Sequence, residues 1–300
     1  MTLGMAGLLT PGAAFAQEPE ASEPRLLANL LTRMALRVTI NGRRGAVFVL
    51  DTGAGRTVIA EDLARSWNLP ARPSVLVHGL TAAQLAPTVH IDRLSVGGRR
   101  LQDLQAPVFP RSVLAADGLI GLDVLGRFRL DLNIASRHIR MTPSGPDVVA
   151  VGTAGYRASR LRSQERPARH GRFGALILTG SVEGREVDVF VDTGAQYSIG
   201  NLALLRAVGG DPAGLERITV YGVTGQILAA ASGQVRDMRL GTQRLGPTAL
   251  LFADLHAFRV LELVERPALL IGADLLYRFR EVTLDFGRSR MAFRGLRRTG

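Results

Sequence analysis

The 300-residue chain contains no cysteine, which removes disulfide frameworks, thiolate zinc and iron–sulfur sites, and cysteine nucleophiles together. It contains no lysine either, so all 37 basic residues are arginine. A Schiff-base lysine and the lysine of a phosphate-binding P-loop are excluded. Aromatic residues make up 5% of the chain, too few for a row of base-stacking platforms. Apolar runs are broken by Arg, Asp or Gly well before the ~18 residues that a membrane-spanning helix needs. There is no Gly-x-Ser-x-Gly elbow, which argues against a Ser-His-Asp hydrolase. The histidines His78, His90, His138, His170 and His256 form neither a close pair nor a His-Glu-x-x-His motif, which argues against a histidine-based metal site.

What is present is enough apolar material for a core: 46% of residues are hydrophobic and the mean hydropathy is +0.14, which excludes wholesale disorder. The formal net charge of +11 suggests a polyanion partner until it is mapped. Between Gly152 and Arg172 lie Arg157, Arg160, Arg162, Arg166, Arg169 and Arg172 against Glu165 alone, a net +5. Arg288, Arg290, Arg294, Arg297 and Arg298 contribute another +5 near the end. The rest of the chain is close to neutral, so a solvated linker and tail are expected and no nucleic acid is expected as partner.

Residues Met1 to Ala16 are uncharged and apolar and end in Ala14-Phe15-Ala16 before a polar, Pro-containing stretch. This small-x-small ending reads as a secretory signal cut after Ala16, with residues 17–35 as an N-terminal arm and a bacterial periplasm as the destination.

Beyond the arm the chain repeats itself. Ala46-Val47-Phe48-Val49-Leu50-Asp51-Thr52-Gly53-Ala54 and Val187-Asp188-Val189-Phe190-Val191-Asp192-Thr193-Gly194-Ala195 are both β-type runs delivering Asp-Thr-Gly-Ala. A second shared element comes later in each half, Leu119-Ile120-Gly121-Leu122-Asp123 and Leu270-Ile271-Gly272-Ala273-Asp274. A third, around Asp131 and Asp285, begins the closing strands. Asn41-Gly42 and Glu183-Gly184 suit tight hairpins. Short helices are expected over Ala60 to Trp67 and after Gly121, Ser198 and Gly272. The expected organisation is two mostly β lobes, 36–142 and 173–300, joined by an Arg-rich linker over 143–172.

One Asp-Thr-Gly at a strand end is an ordinary turn. Two copies, each trailed by the same Ile-Gly-x-Asp element, point to paired carboxylates. The halves resemble the two lobes of an aspartic protease, and most the retropepsin-like group, which carries Asp-Thr-Gly-Ala; the resemblance covers Leu36 to Phe293. It implies an all-β, two-lobed acid-protease fold with both aspartates in one chain, so that a monomer suffices, and an aspartic endopeptidase acting on a protein or peptide substrate. Two carboxyl groups about 3 Å apart cannot both ionise cheaply, so one keeps its proton while the other activates a water. Asp51 and Asp192 are the expected catalytic pair, with no metal or organic cofactor.

The resemblance also implies roles for the neighbours. Thr52, Gly53, Ala54, Thr193, Gly194 and Ala195 support the active loops, the threonines through a hydrogen-bond network between lobes. Asp123 and Asp274 are expected to cap the helices just after the Ile-Gly elements, and Asp131 and Asp285 to be structural. Flaps are expected at His78-Gly79 and at Tyr221-Gly222, with His78 read as an exposed loop histidine. Ala54 and Ala195 stand where pepsin-like enzymes have a hydroxyl, which moves the expected activity toward weakly acidic or neutral pH. The rival reading is a protease-like fold that binds or scaffolds peptides without cutting them; intact Asp-Thr-Gly in both halves argues against it.

Overall fold

In the strand Met34–Ile40 the alternate residues Met34, Leu36, Val38 and Ile40 are all buried, the period-2 pattern of a strand with one face on a core. The chain then reverses through Asn41 and Gly42, both at positive φ (50° and 84°), into the antiparallel strand Arg43–Leu50. Glu183 and Gly184 (φ 47° and 74°) make the matching reversal between Leu176–Val182 and Arg185–Val191. These are the backbone signs that suit a two-residue hairpin to the twist of its strands. Residues 27–28, 33–79, 81–145, 164–221 and 227–297 are described by the computed structural model.

Each half repeats one pairing scheme. Arg43–Leu50 runs parallel to Gly118–Ile120, which pairs antiparallel with Val58–Ala60, itself parallel to Arg99–Phe109. In the second half Arg185–Val191 runs parallel to Ala268–Ile271, which pairs antiparallel with Ile199–Gly200, itself parallel to Thr248–Phe252. The first scheme lies in an eight-stranded sheet and the second in a fourteen-stranded one. The larger sheet also carries strands of the first half. Phe128–Asn133 pairs antiparallel with Phe279–Asp285, with Leu130 opposite Leu284 and Leu132 opposite Val282. The protein is thus an all-β, two-lobed molecule whose halves share a sheet at their junction.

That junction is held by ions as well as by apolar packing. The Arg129 guanidinium reaches Asp131 at 3.0 Å, Glu165 at 2.8 Å and Asp285 at 3.3 Å. Asp131 also accepts from the Thr283 hydroxyl at 2.9 Å, and Asp285 from Ser144. Asp131 and Asp285 are therefore structural, as expected. Glu165 and Asp285 are almost wholly buried, and such carboxylates persist only when paired.

The expected helices form at Glu61–Ser66, Leu122–Leu125, Leu202–Ala207 and Ala273–Leu276. Two single-turn helices, Arg111–Leu114 and His256–Val260, join them. Of the segment read as linker, residues 146–163 lie outside the described part. Its remaining portion forms a strand, Arg166–His170, pairing with both Leu176–Val182 and Arg290–Leu296. The arginines of this strand stay exposed while its backbone stitches the two arms of the larger sheet together. The signal read over residues 1–16 and most of the arm also lie outside the described residues.

Candidate active site

Both Asp-Thr-Gly-Ala segments leave their strands in the same way. The amide of Asp51 donates to the Ile120 carbonyl (3.0 Å) and that of Asp192 to the Ile271 carbonyl (2.9 Å). The chain then turns back so that Gly53 and Ala54 donate to Asp51 Oδ1 at 3.0 and 2.9 Å. Gly194 and Ala195 donate to Asp192 Oδ1 at 2.8 and 3.0 Å. Each carboxylate is thus held by two amides of its own loop, which leaves the other oxygen of each for chemistry.

The loops interlock through their threonines. The Thr52 hydroxyl donates to the Val191 carbonyl and the Thr193 hydroxyl to the Leu50 carbonyl, both at 2.6 Å. Each hydroxyl also accepts the other threonine's amide, at 3.2 and 3.1 Å. All four groups are buried, so the network costs stability if broken and fixes the loop separation while intact.

Glycine is required where the loops face each other. A Cβ at Gly53 would lie 2.2 Å from Asp192 Oδ2, and one at Gly194 would lie 2.4 Å from Asp51 Cγ. Each glycine is therefore the floor on which the opposite carboxylate rests. The Ile-Gly elements do the same one layer further out: a Cβ at Gly121 would strike the Arg56 backbone at 2.3 Å, and one at Gly272 the Tyr197 carbonyl at 2.5 Å.

Asp123 and Asp274 do not occupy the N-cap positions expected of them. Gly121 and Gly272 are the N-caps, and the aspartates lie within the first turn. Asp123 Oδ1 accepts from the Thr57 amide and hydroxyl at 2.9 and 2.8 Å. Asp274 accepts from the Ser198 amide at 3.0 Å and its hydroxyl at 2.6 Å. They clamp the far end of each active loop to the adjoining helix, because the short chain segment after Ala54 and Ala195 needs an acceptor there.

Asp51 and Asp192 are each 7% exposed, and each carboxyl lies against the glycine of the opposite loop. Burial raises both carboxyl groups above the ordinary aspartate range. At Asp192 the charge of Asp51 adds to burial. At Asp51 a guanidinium, that of Arg33, opposes it. Together these make a pair that retains one proton to a higher pH than a free aspartate would.

The hairpin expected as the first flap is formed by Ala71–His78 and Ala83–Val96, with the Gly79 amide donating to the Ala82 carbonyl at 2.8 Å. His78 is not the exposed loop histidine expected. It is half-buried, its Nδ1 stands 3.1 Å from His256 Nε2, and the rings stack with centroids 5.4 Å apart. Phe173 also packs on His78, again at 5.4 Å, and stands beside Gly55 of the first active loop. In the second half Glu216–Tyr221 and Ile227–Val235 form the corresponding hairpin, with Tyr221 opposite Ile227. Gly222 and the side chain of Tyr221 lie outside the described residues.

A family model described as aspartyl protease matches residues 36–124 and 178–275, one stretch in each half. The chain belongs to this family. Among solved structures, a retropepsin-like aspartic protease from Rickettsia conorii is similar to the protease at 19% identity, with 43% of this chain and 89% of that one covered and a TM-score of 0.32. Among curated proteins none matches it.

Four residues around the active loops and the first hairpin carry no motif in the sequence. Arg33 sits in what reads as a polar arm, Leu114 on a one-turn helix, Phe173 at the end of the linker, and His256 has no partner within reach along the chain. No local signal marks Arg33: counting back from the Asn41-Gly42 turn sets it opposite Leu50, and only the register shift between Val38 and Thr39 brings it level with Asp51. Among the described residues no group of His, Cys, Asp and Glu is arranged to hold a metal ion, and no helix is long and apolar enough to cross a membrane.

Proposed function

We propose that this protease is an aspartic endopeptidase that hydrolyses peptide bonds through a water activated by Asp51 and Asp192. The observation that carries the reading is the buried carboxyl pair itself: two aspartates 141 positions apart in sequence, each resting on the glycine of the other's loop, on loops locked by Thr52 and Thr193. The ionised carboxylate takes a proton from the water as its oxygen adds to the carbonyl carbon of the scissile bond. The protonated carboxyl donates to the carbonyl oxygen, giving a neutral gem-diol intermediate. Collapse of the intermediate breaks the C–N bond, the amine nitrogen takes up the proton held by the first carboxylate, and the second regains its own. The pair returns to one shared proton with no covalent intermediate.

A peptide substrate would lie extended between the two hairpins, held by main-chain hydrogen bonds with alternate side chains entering pockets. Both lobes come from one chain, so one molecule contains the complete pair and works as a monomer. The Ala14-Phe15-Ala16 ending supports export to the periplasm before action. The test is digestion of peptides blocked at both termini, with products read by mass spectrometry. Cleavage at internal bonds, with one oxygen-18 from labelled water in each new carboxylate, is the expected result. Release of terminal residues only, from unblocked peptides, would overturn the endopeptidase reading.

A further inference from the structure

The two aspartates have nearly the same backbone but different neighbours across the strand. In the first half the register pairs Ala35 with Val49; continued two residues, it sets Arg33 level with Asp51. In the second it pairs Ile177 with Phe190; continued likewise, it sets Ala175 level with Asp192. One carboxyl therefore has a guanidinium-bearing residue at its cross-strand position and the other has a methyl group. Cross-strand neighbours on one face are the residues whose side chains meet.

The Arg33 side chain is tied down at this place. It is 3% exposed, and it donates to the Leu114 carbonyl and, at 3.4 Å, to the carbonyl of Gly194 in the opposite active loop. Gly194 in turn is the residue against which the Asp51 carboxyl rests. Arg33, Gly194 and Asp51 thus form one compact group on one side of the pair. A charge so poorly exposed is weakly screened, and its effect on a nearby carboxyl is correspondingly large.

We propose that Arg33 is a positioning residue that assigns the roles within the pair, holding Asp51 as the ionised member that accepts the proton of water and leaving the proton on Asp192. The inference rests on the aspartic protease reading of the pair. The directions of the shifts agree with it, since Arg33 counters the effect of burial at Asp51, whereas the charge of Asp51 reinforces burial at Asp192. The other charged groups around the loops are engaged elsewhere. Asp117, beyond Leu114, is ion-paired with Arg111. Asp123 and Asp274 accept from Thr57 and Ser198. Arg56 lies in the first active loop itself but is exposed to solvent, where screening weakens its effect.

The experiment is the pH profile of kcat/KM for the full chain, Arg33→Met and Arg33→Lys on one internally cleaved peptide. A cation beside Asp51 makes its ionisation easier, so Arg33→Met should move the acid limb upward by about one pH unit. Arg33→Lys, which keeps the charge, should return it to within a few tenths of a unit of the unsubstituted protein. An acid limb that stays in place while activity falls uniformly would overturn the proposal and leave Arg33 a purely structural residue. If Arg33→Met does not fold, thermal melting of Asp51→Asn and Asp192→Asn at pH 7 decides instead. Asp192→Asn should melt above Asp51→Asn, because only the latter takes the anion away from a buried guanidinium. Equal melting temperatures or the reverse order would overturn the proposal. These melts need no activity, so an unsubstituted chain that cuts nothing would contradict the protease reading and leave the assignment of Arg33 to be decided by the melts.

Discussion

His78 Nδ1 and His256 Nε2 stand 3.1 Å apart, joining the hairpin of the first half to the helix His256–Val260 of the second. An N–H···N bond needs at least one unprotonated ring. His256 is lowered from the ordinary histidine value by burial first, then by the charges of His78 and Arg259, so the contact is intact at neutral pH. Below the ordinary histidine range, protonation of His256 fixes Nε2 as a donor and adds a charge to the contact. The Michaelis constant of the unsubstituted protein should therefore change about three- to tenfold as pH falls below the ordinary histidine range. His256→Phe, which keeps the stacking and cannot titrate, should flatten that part of the curve, and an unchanged curve would contradict the contact's role.

Gly53 and Gly194 admit no side chain. Gly53→Ala and Gly194→Ala should each lower kcat by at least about a hundredfold, because the added methyl displaces the opposite carboxylate by more than the roughly 1 Å that catalytic geometry tolerates. Circular dichroism should remain that of the unsubstituted protein. Gly42→Ala, at a hairpin far from the pair, should lose some stability and no intrinsic activity, which separates the two effects.

The threonine network predicts a sharp difference between isosteres. Thr52→Val removes a hydroxyl that serves the Val191 carbonyl and the Thr193 amide, leaving both buried and unsatisfied. A loss of roughly 2 to 4 kcal/mol is expected in urea unfolding. Thr52→Ser keeps both bonds and should cost under about 1 kcal/mol. Equal losses for the two substitutions would count against the network.

Arg129 balances carboxylates contributed by both sides of the lobe junction, with Glu165 and Asp285 nearly inaccessible. Arg129→Met should destabilise the protein by about 3 to 5 kcal/mol, the usual cost of leaving buried charges unpaired. Denaturant melts of this variant beside Arg65→Met, whose pairing with Glu61 is exposed, should show a loss only for the former.

Much of this architecture is legible because the chain states it twice. A β run ending in Asp-Thr-Gly-Ala means little once, but a second copy trailed by the same Ile-Gly-x-Asp element supplies its own control. Asn41-Gly42 and Glu183-Gly184 declare their hairpins through backbone preference alone. Other features are hidden for physical reasons. Arg33 gains its meaning from strand register and from contact with Gly194, neither of which a local pattern expresses. His78 and His256 become a pair only when the lobes close on each other. The strand Arg166–His170 is masked by its arginines, because a strand exposed on both faces has no hydrophobic alternation to read. The role of Asp123 and Asp274 is equally hard to read locally: Thr57 and Ser198, the groups they bind, lie more than sixty positions away along the chain.

In the proposed reaction Asp51 and Asp192 act together on one water. Its most direct test is the rate of cleavage of a single internally cut peptide by the full chain, Asp51→Asn and Asp192→Asn from about pH 3 to 8. Burial raises both carboxyl groups, so the singly protonated pair, and with it the activity, should extend into the weakly acidic to neutral range. Each Asn variant should lose activity by a factor of at least about 10³ at every pH while remaining folded. A variant lacking either carboxylate that still cleaves at the unsubstituted rate would contradict the account.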